Sequence, residues 1–196
     1  MRKMICNWGV SLVMICLVFL TGCVQQGATP VKGDAKAAVA ESAIISTPGY
    51  YEDKTLGFSI KYHAETFSVV NELRENEVLY REGAQKVPTL SIKVKDIPAG
   101  VALKDIGAQI VSDFKKDYPA SERFQLVESK MVKLETGMDA NSSVIKWKYQ
   151  GSVMLYTACV SAYKNGKVIY VFTTSVPGQP PIEILTKMAM ALKVEL

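Results

Sequence analysis

Two neighbouring segments near the C-terminus, VMLYTACVSAYK and KVIYVFTTSV, constrain the fold more than any other feature of the chain. Successive side chains of a strand point to opposite faces. Val153 and Leu155 would therefore lie on one face, with Met154 and Tyr156 on the other. A strand that is apolar on both faces needs cover on both faces. The sequence therefore predicts a sheet that is enclosed between two further layers.

The link between these two segments is Lys164-Asn165-Gly166-Lys167. Asn-Gly between apolar runs is typical of a two-residue hairpin turn, because both central residues take positive φ. We therefore expect the two segments to form an antiparallel hairpin.

Other segments show the short alternation that is typical of strands. In TLSIKVKDI, for example, Leu90 and Ile92 alternate with Ser91 and Lys93, which predicts a half-buried antiparallel strand. The remaining predicted strands are YYED, GFSIKYH, EVLYRE, RFQLVESKMVKLE and SSVIKWKYQ.

Two helices are expected. The first follows Pro98-Ala99-Gly100 and ends before Pro119, and its apolar residues recur at intervals of three and four: Leu103, Ile106, Ile110 and Phe114. The second opens at Pro180-Pro181, where a missing N–H is tolerated, and its apolar stripe consists of Leu185, Met188 and Leu192, with Ile184 beside it.

The N-terminus resembles a bacterial export signal. Arg2 and Lys3 precede an apolar run over residues 10–20, and this run is too short for a helix that spans a membrane. Leu20-Thr21-Gly22-Cys23 is similar to the lipobox of bacterial lipoproteins, which implies cleavage before Cys23 and a lipid on its thiol. The alternatives are an ordinary secretory signal cut near Gly22 and an uncleaved anchor.

These observations predict a signal peptide over 1–22, a lipidated N-terminus and flexible linker over 23–48, and a globular domain over 49–196. The linker contains no aromatic residue and is rich in Ala, Gly, Pro, Ser and Gln. A lipid anchor would hold the protein on an extracytoplasmic membrane face. Val24, which is not Asp, favours the outer membrane, facing the periplasm, if the organism has one.

Charge gives no support for nucleic-acid binding. The predicted signal holds two of the 23 basic residues and none of the 19 acidic ones, so 21 basic against 19 acidic side chains leave a net charge of +2.

The residues contain no catalytic or metal-binding pattern. Cys159 alone would remain in the folded part, where it is most simply a small buried residue. His63 is the single histidine and is expected at the solvent-facing end of a strand. We therefore expect no catalytic site, no metal and no cofactor.

Three stretches resemble the PsbP-like family: YYEDKTLGFSIKYHAETFSV, LSIKVKDIPAGVALKDI and YKNGKVIYVFTTS. This family includes the photosystem accessory protein PsbP, the Ran-binding Mog proteins and small bacterial lipoproteins. His63 stands where the family often has Pro, and Phe67 where it usually has Trp. The resemblance implies an α+β fold in which helices sandwich an antiparallel sheet (α/β/α), and a protein that binds or assists other macromolecules.

The function expected is thus a non-catalytic binding or assembly module for an envelope protein. Candidate contact segments are Glu72–Glu77 and residues 175–181, although an ordinary solvated loop explains each of them as well.

Two alternatives stay open. The first is a small-molecule or lipid carrier with a cleft between sheet and helix lined by Met131, Trp147, Tyr149 and Met154, although core packing explains these residues too. The second is an envelope hydrolase, for which the candidate acids would be Glu72, Glu75 and Glu77.

Overall fold

The computed structural model describes residues 44–68, 72–83, 85–177 and 180–195. The predicted signal peptide, Cys23 and most of the predicted linker lie outside these residues. Among the helices described, none has the length and apolar character required to cross a bilayer.

The described part of the chain forms strands and two α-helices. The strands are β1 (Ile44–Thr47), β2 (Tyr50–Asp53), β3 (Phe58–Lys61), β4 (Glu77–Glu82), β5 (Thr89–Asp96), β6 (Glu122–Lys133), β7 (Asp139–Tyr149), β8 (Val153–Lys164), β9 (Lys167–Ser175) and β10 (Leu192–Val194). The helices are α1 (Ile106–Asp117), which follows a short 3-10 turn at Leu103–Asp105, and α2 (Ile182–Ala189).

Six strands form one antiparallel sheet in the order β4-β5-β9-β8-β7-β6. The predicted hairpin between β8 and β9 is confirmed. Asn165 and Gly166 have φ of 49° and 75°, and Lys164 pairs with Lys167. The turn fixes the register of the two apolar strands. Pairing with β5 and β7 places them in the middle of the sheet.

A second sheet contains four strands in the order β1-β2-β3-β10. Leu192 pairs with Ile60 in this sheet, so its predicted place in the stripe of the last helix is wrong. The helix ends at Ala189, and the buried position of Leu192 is reached by a strand instead. Residues 44–47, assigned to the linker from the sequence, pair with β2.

The two faces of the six-stranded sheet are covered differently. Helix α1 packs on one face, where its residues Ile106, Ile110 and Phe114 belong to the same core cluster as Trp147 and Phe172. The small sheet and α2 cover the other face, through a core that contains Tyr51, Phe58, Ile60, Leu79, Leu90, Ile92, Val160, Val171, Ala189 and Leu192. The predicted enclosure of β8 and β9 on both faces is therefore confirmed. On one face the cover combines α2 with the small sheet, so helices alone do not sandwich the six-stranded sheet.

Candidate ligand-binding cavity

A cavity of about 410 Å³ opens on the α1 face of the six-stranded sheet. On this face α1 lies nearest to β6 and β7 and ends at Asp117, and the cavity opens beside its C-terminal end. The cavity walls come from β4, β5, β7, β8, β9, the end of α1 and the loop at 85–87.

The floor of the cavity follows from strand register. Tyr80 pairs with Ser91, and Ser91 pairs with Phe172, so these three side chains lie side by side on β4, β5 and β9. In the next row, Thr89 pairs with Thr174. Small side chains between large aromatic ones produce the depression.

An aromatic cluster forms the wall on the helix side. The ring of Trp147 lies 5.7 Å from that of Phe114 and 5.0 Å from that of Tyr118, between ring centroids. Phe114 also contacts Phe172 at 5.4 Å. The indole Nε1 of Trp147 donates to Thr157 Oγ1 at 3.0 Å, which fixes the ring. This wall is therefore apolar and held in place by its own packing.

Charged and phenolic groups stand along the rim. Arg74 donates to the Tyr118 hydroxyl at 2.9 Å, and the backbone N–H of Arg74 donates to the Glu77 carboxylate at 2.9 Å. The Tyr80 hydroxyl donates to Glu82 at 2.8 Å. Three cationic side chains and two anionic ones line the cavity, so it carries no strong charge of either sign.

Two of the phenols stay protonated over the physiological range. Burial raises the pKa of Tyr80, and its hydrogen bond to Glu82 raises it further. Burial also raises the pKa of Tyr118, against the opposing charge of Arg74. Both hydroxyls are therefore neutral hydrogen-bonding groups.

The cleft predicted from the sequence is partly in place. Trp147 and Tyr149 line the cavity. Met154 does not line the cavity. Its neighbour Leu155 faces the cavity, so the side chain of Met154 points to the other face of β8. Met131 lies on the edge strand β6 and is 45% exposed.

The three glutamates of the hydrolase alternative are not brought together. Glu77 is buried and lines the cavity, whereas Glu75 lines a separate surface depression and Glu72 is exposed. Among the described residues, no three His, Cys, Asp or Glu side chains are placed so that they could bind a metal ion.

His63 and Cys159 lie where the sequence predicts. His63 is exposed just beyond the end of β3. Cys159 is fully buried, and this burial raises the pKa of its thiol to about 12. Neither residue lines the cavity.

The two predicted contact segments meet the cavity at opposite ends. Glu72–Glu77 contributes Arg74 and Glu77, and the segment at 175–181 contributes Val176. Residues 178–179 lie outside the described part of the chain.

Sequence reasoning missed Tyr80, Ser91 and Tyr118. Ser91 alternates with apolar residues and therefore looked like part of a solvated face. No local signal distinguishes it, because its neighbours in the cavity lie on strands that are distant in sequence.

No protein-family model matches the chain, and no curated protein matches its sequence. The solution structure of cyanobacterial PsbP (CyanoP) from Synechocystis sp. PCC 6803 is similar, with a TM-score of 0.60 and 12% identity. The similarity covers 80% of this chain and 95% of that one. A crystal structure of PA94, a Pseudomonas aeruginosa protein of unknown function, matches with 18% identity over 53% of this chain and 69% of that one. Its TM-score of 0.42 is too low to carry an argument. The domain has the PsbP-like fold, as the sequence predicts.

Proposed function

We propose that this PsbP-like domain belongs to a lipid-anchored, extracytoplasmic binding module without catalytic activity, and that the cavity beyond α1 receives part of an envelope protein. The lipid would be attached at Cys23, after removal of residues 1–22. The linker would let the domain search the space above the membrane, and so raise its effective concentration near membrane partners.

The observation that carries this proposal is the apolar cavity next to exposed apolar side chains. Tyr149 and Val153 both line the cavity and both belong to the exposed large hydrophobic residues of the domain. Protein interfaces commonly combine a pocket for an anchoring side chain with surrounding contacts that exclude water. A partner that covers Tyr149 and Val153 would complete this arrangement.

The chemistry of the cavity gives no support for catalysis. Glu77 and Glu82 each accept a hydrogen bond from a neighbouring residue. The residues that line the cavity include no cysteine or histidine, so none of the hydroxyls there has an adjacent imidazole base.

Photo-crosslinking in the producing cell tests the proposal. A photoreactive amino acid would replace Val153, and the control would replace Ile184 on α2, because both side chains are 43% exposed. We expect one envelope protein to be crosslinked from position 153 and not from position 184. Equal capture from both positions, or capture of no protein from position 153, would contradict the proposal.

A small-molecule carrier is the second candidate, because the cavity volume lies within the range of about 300–1,000 Å³ that is usual for ligand sites. Native mass spectrometry of the purified protein separates the two: a co-purifying small molecule favours the carrier.

A further inference from the structure

We infer that the cavity accepts an aromatic side chain with a polar tip, Tyr or Trp, from the surface of the partner protein. This inference rests on the proposed binding function and adds the chemistry of the group that is bound. It is carried by one unpartnered hydroxyl, by the charges of the rim and by the shape of the floor.

The unpartnered hydroxyl belongs to Ser91. Its side chain is 7% exposed and lines the cavity, and it makes no hydrogen bond to any described residue. The open cavity leaves this hydroxyl accessible to water. A ligand laid over it would remove that water, and a wholly apolar ligand would leave the hydroxyl without a partner at a cost in free energy. A ligand that brings a hydroxyl or an N–H group to the floor would satisfy it.

The charges of the rim favour an uncharged ligand group. Lys93, which lies opposite Glu77 on the next strand, forms an ion pair with Asp117 at 3.4 Å. Arg74 is bound to Tyr118, and Glu82 to Tyr80. A carboxylate or an ammonium group that paired with these residues would lose water and would have to displace their existing partners. The remaining lining cation, Lys86, is exposed, so an ion pair with it would gain little.

The floor favours an aromatic ring. Tyr80 and Phe172 stand on either side of Ser91, because the three residues occupy one row across three strands. A ring laid over Ser91 would contact aromatic side chains on both sides, and aromatic pairs gain more than their buried area alone provides.

The surroundings favour a side chain on a protein over a free small molecule. Val153 and Tyr149 remain exposed at the edge of the cavity, where a ligand that only fills the floor would leave them in water. A protein surface that inserts one aromatic side chain would cover them as well.

The test uses the full-length protein in lipid nanodiscs and water-soluble side-chain analogues. N-acetyl-tyrosinamide and N-acetyl-phenylalaninamide differ only in the hydroxyl, and N-acetyl-leucinamide is the aliphatic control. Dissociation constants come from saturation-transfer NMR titrations, with empty nanodiscs as the blank. We expect both aromatic amides to bind more tightly than the leucine amide.

Substitutions at Ser91 separate the hydrogen bond from the shape. Ser91→Ala should weaken the tyrosine amide about three- to tenfold and leave the phenylalanine amide unchanged. Ser91→Leu should abolish binding of both, whereas Ile184→Ala on α2 should change neither. The inference fails if Ser91→Ala affects both amides equally or neither, if the leucine amide binds as tightly as the aromatic ones, or if tyramine or N-acetyl-tyrosine binds more tightly than the neutral amide.

These results are independent of the crosslinking result. If position 153 captures a protein but the aromatic amides do not bind, the binding function stands and the inference fails. If the amides bind and no protein is captured, the aromatic preference stands and the protein partner is refuted.

Discussion

Substitution of Gly107 by alanine should destabilise the protein, although helix propensity predicts the opposite. Gly107 lies in the first turn of α1 and is buried against β6 and β7. A Cβ atom at this position would lie 2.6 Å from Ser143 Oγ and 2.8 Å from Ser129 Oγ. Helix α1 can therefore approach the sheet this closely only because the residue has no side chain.

The magnitude follows from two opposing terms. Alanine gains about 1 kcal/mol over glycine within a helix. Overpacking of a tight core contact costs about 1–3 kcal/mol. The contacted hydroxyls cannot move freely, because Ser143 Oγ donates to the buried Asn141 at 2.6 Å and Asn141 donates to Ser129 Oγ at 3.1 Å. We expect Gly107→Ala to lower the free energy of unfolding by about 1 kcal/mol.

Urea unfolding followed by circular dichroism measures this change. Ala108→Gly is the matched control, because Ala108 is the next residue of the same helix and is exposed. It reports the local propensity difference alone, and we expect it to cost up to about 1 kcal/mol.

A double-mutant cycle then tests the cause. In a Ser129→Ala/Ser143→Ala background the two closest atoms are gone, so Gly107→Ala should cost less than in the native sequence. The reasoning would be refuted if Gly107→Ala raised stability by the amount that Ala108→Gly lowers it.

Three further predictions concern the C-terminus, alkaline pH and the anchor. Leu192→Ala should cost about 2–5 kcal/mol in urea unfolding because Leu192 is buried opposite Ile60, whereas Ile184→Ala should cost far less because Ile184 is half-exposed. Similar costs would contradict the burial of Leu192. Burial, and secondarily the charge of Asp53, raises the pKa of Tyr51 from 10.0 to about 12. The unfolded state therefore loses the phenolic proton first, and the free energy of unfolding should fall between pH 10 and 12. A fall of equal slope in Tyr51→Phe would show that another group is responsible. Cys23→Ala should move the protein from the membrane fraction to a soluble extracytoplasmic fraction on immunoblots, and continued membrane association would rule out lipidation as the anchor.

Local pattern was sufficient for most of the fold. The interval of three and four between Ile106, Ile110 and Phe114 defines α1, and Asn165-Gly166 defines the central hairpin. The period of the apolar residues indicates which face of a segment is buried. These segments are long and strongly patterned, so the period predicts their secondary structure correctly.

Short segments were harder to assign. Leu192–Val194 and Ile44–Thr47 contain too few residues to show a period, and they are strands only because β3 and β2 offer them an edge. Their structure therefore depends on contacts between the two ends of the domain.

The sequence by itself determined that β8 and β9 form a hairpin within an enclosed sheet, because the apolar character of both faces and the turn residues are local properties. Only the tertiary structure decided that Ser91 lies between Tyr80 and Phe172, and that the C-terminal end of α1 stands beside this row. Cross-strand neighbours are set by the pairing of segments far apart in the chain, and residue spacing within one segment carries no information about them.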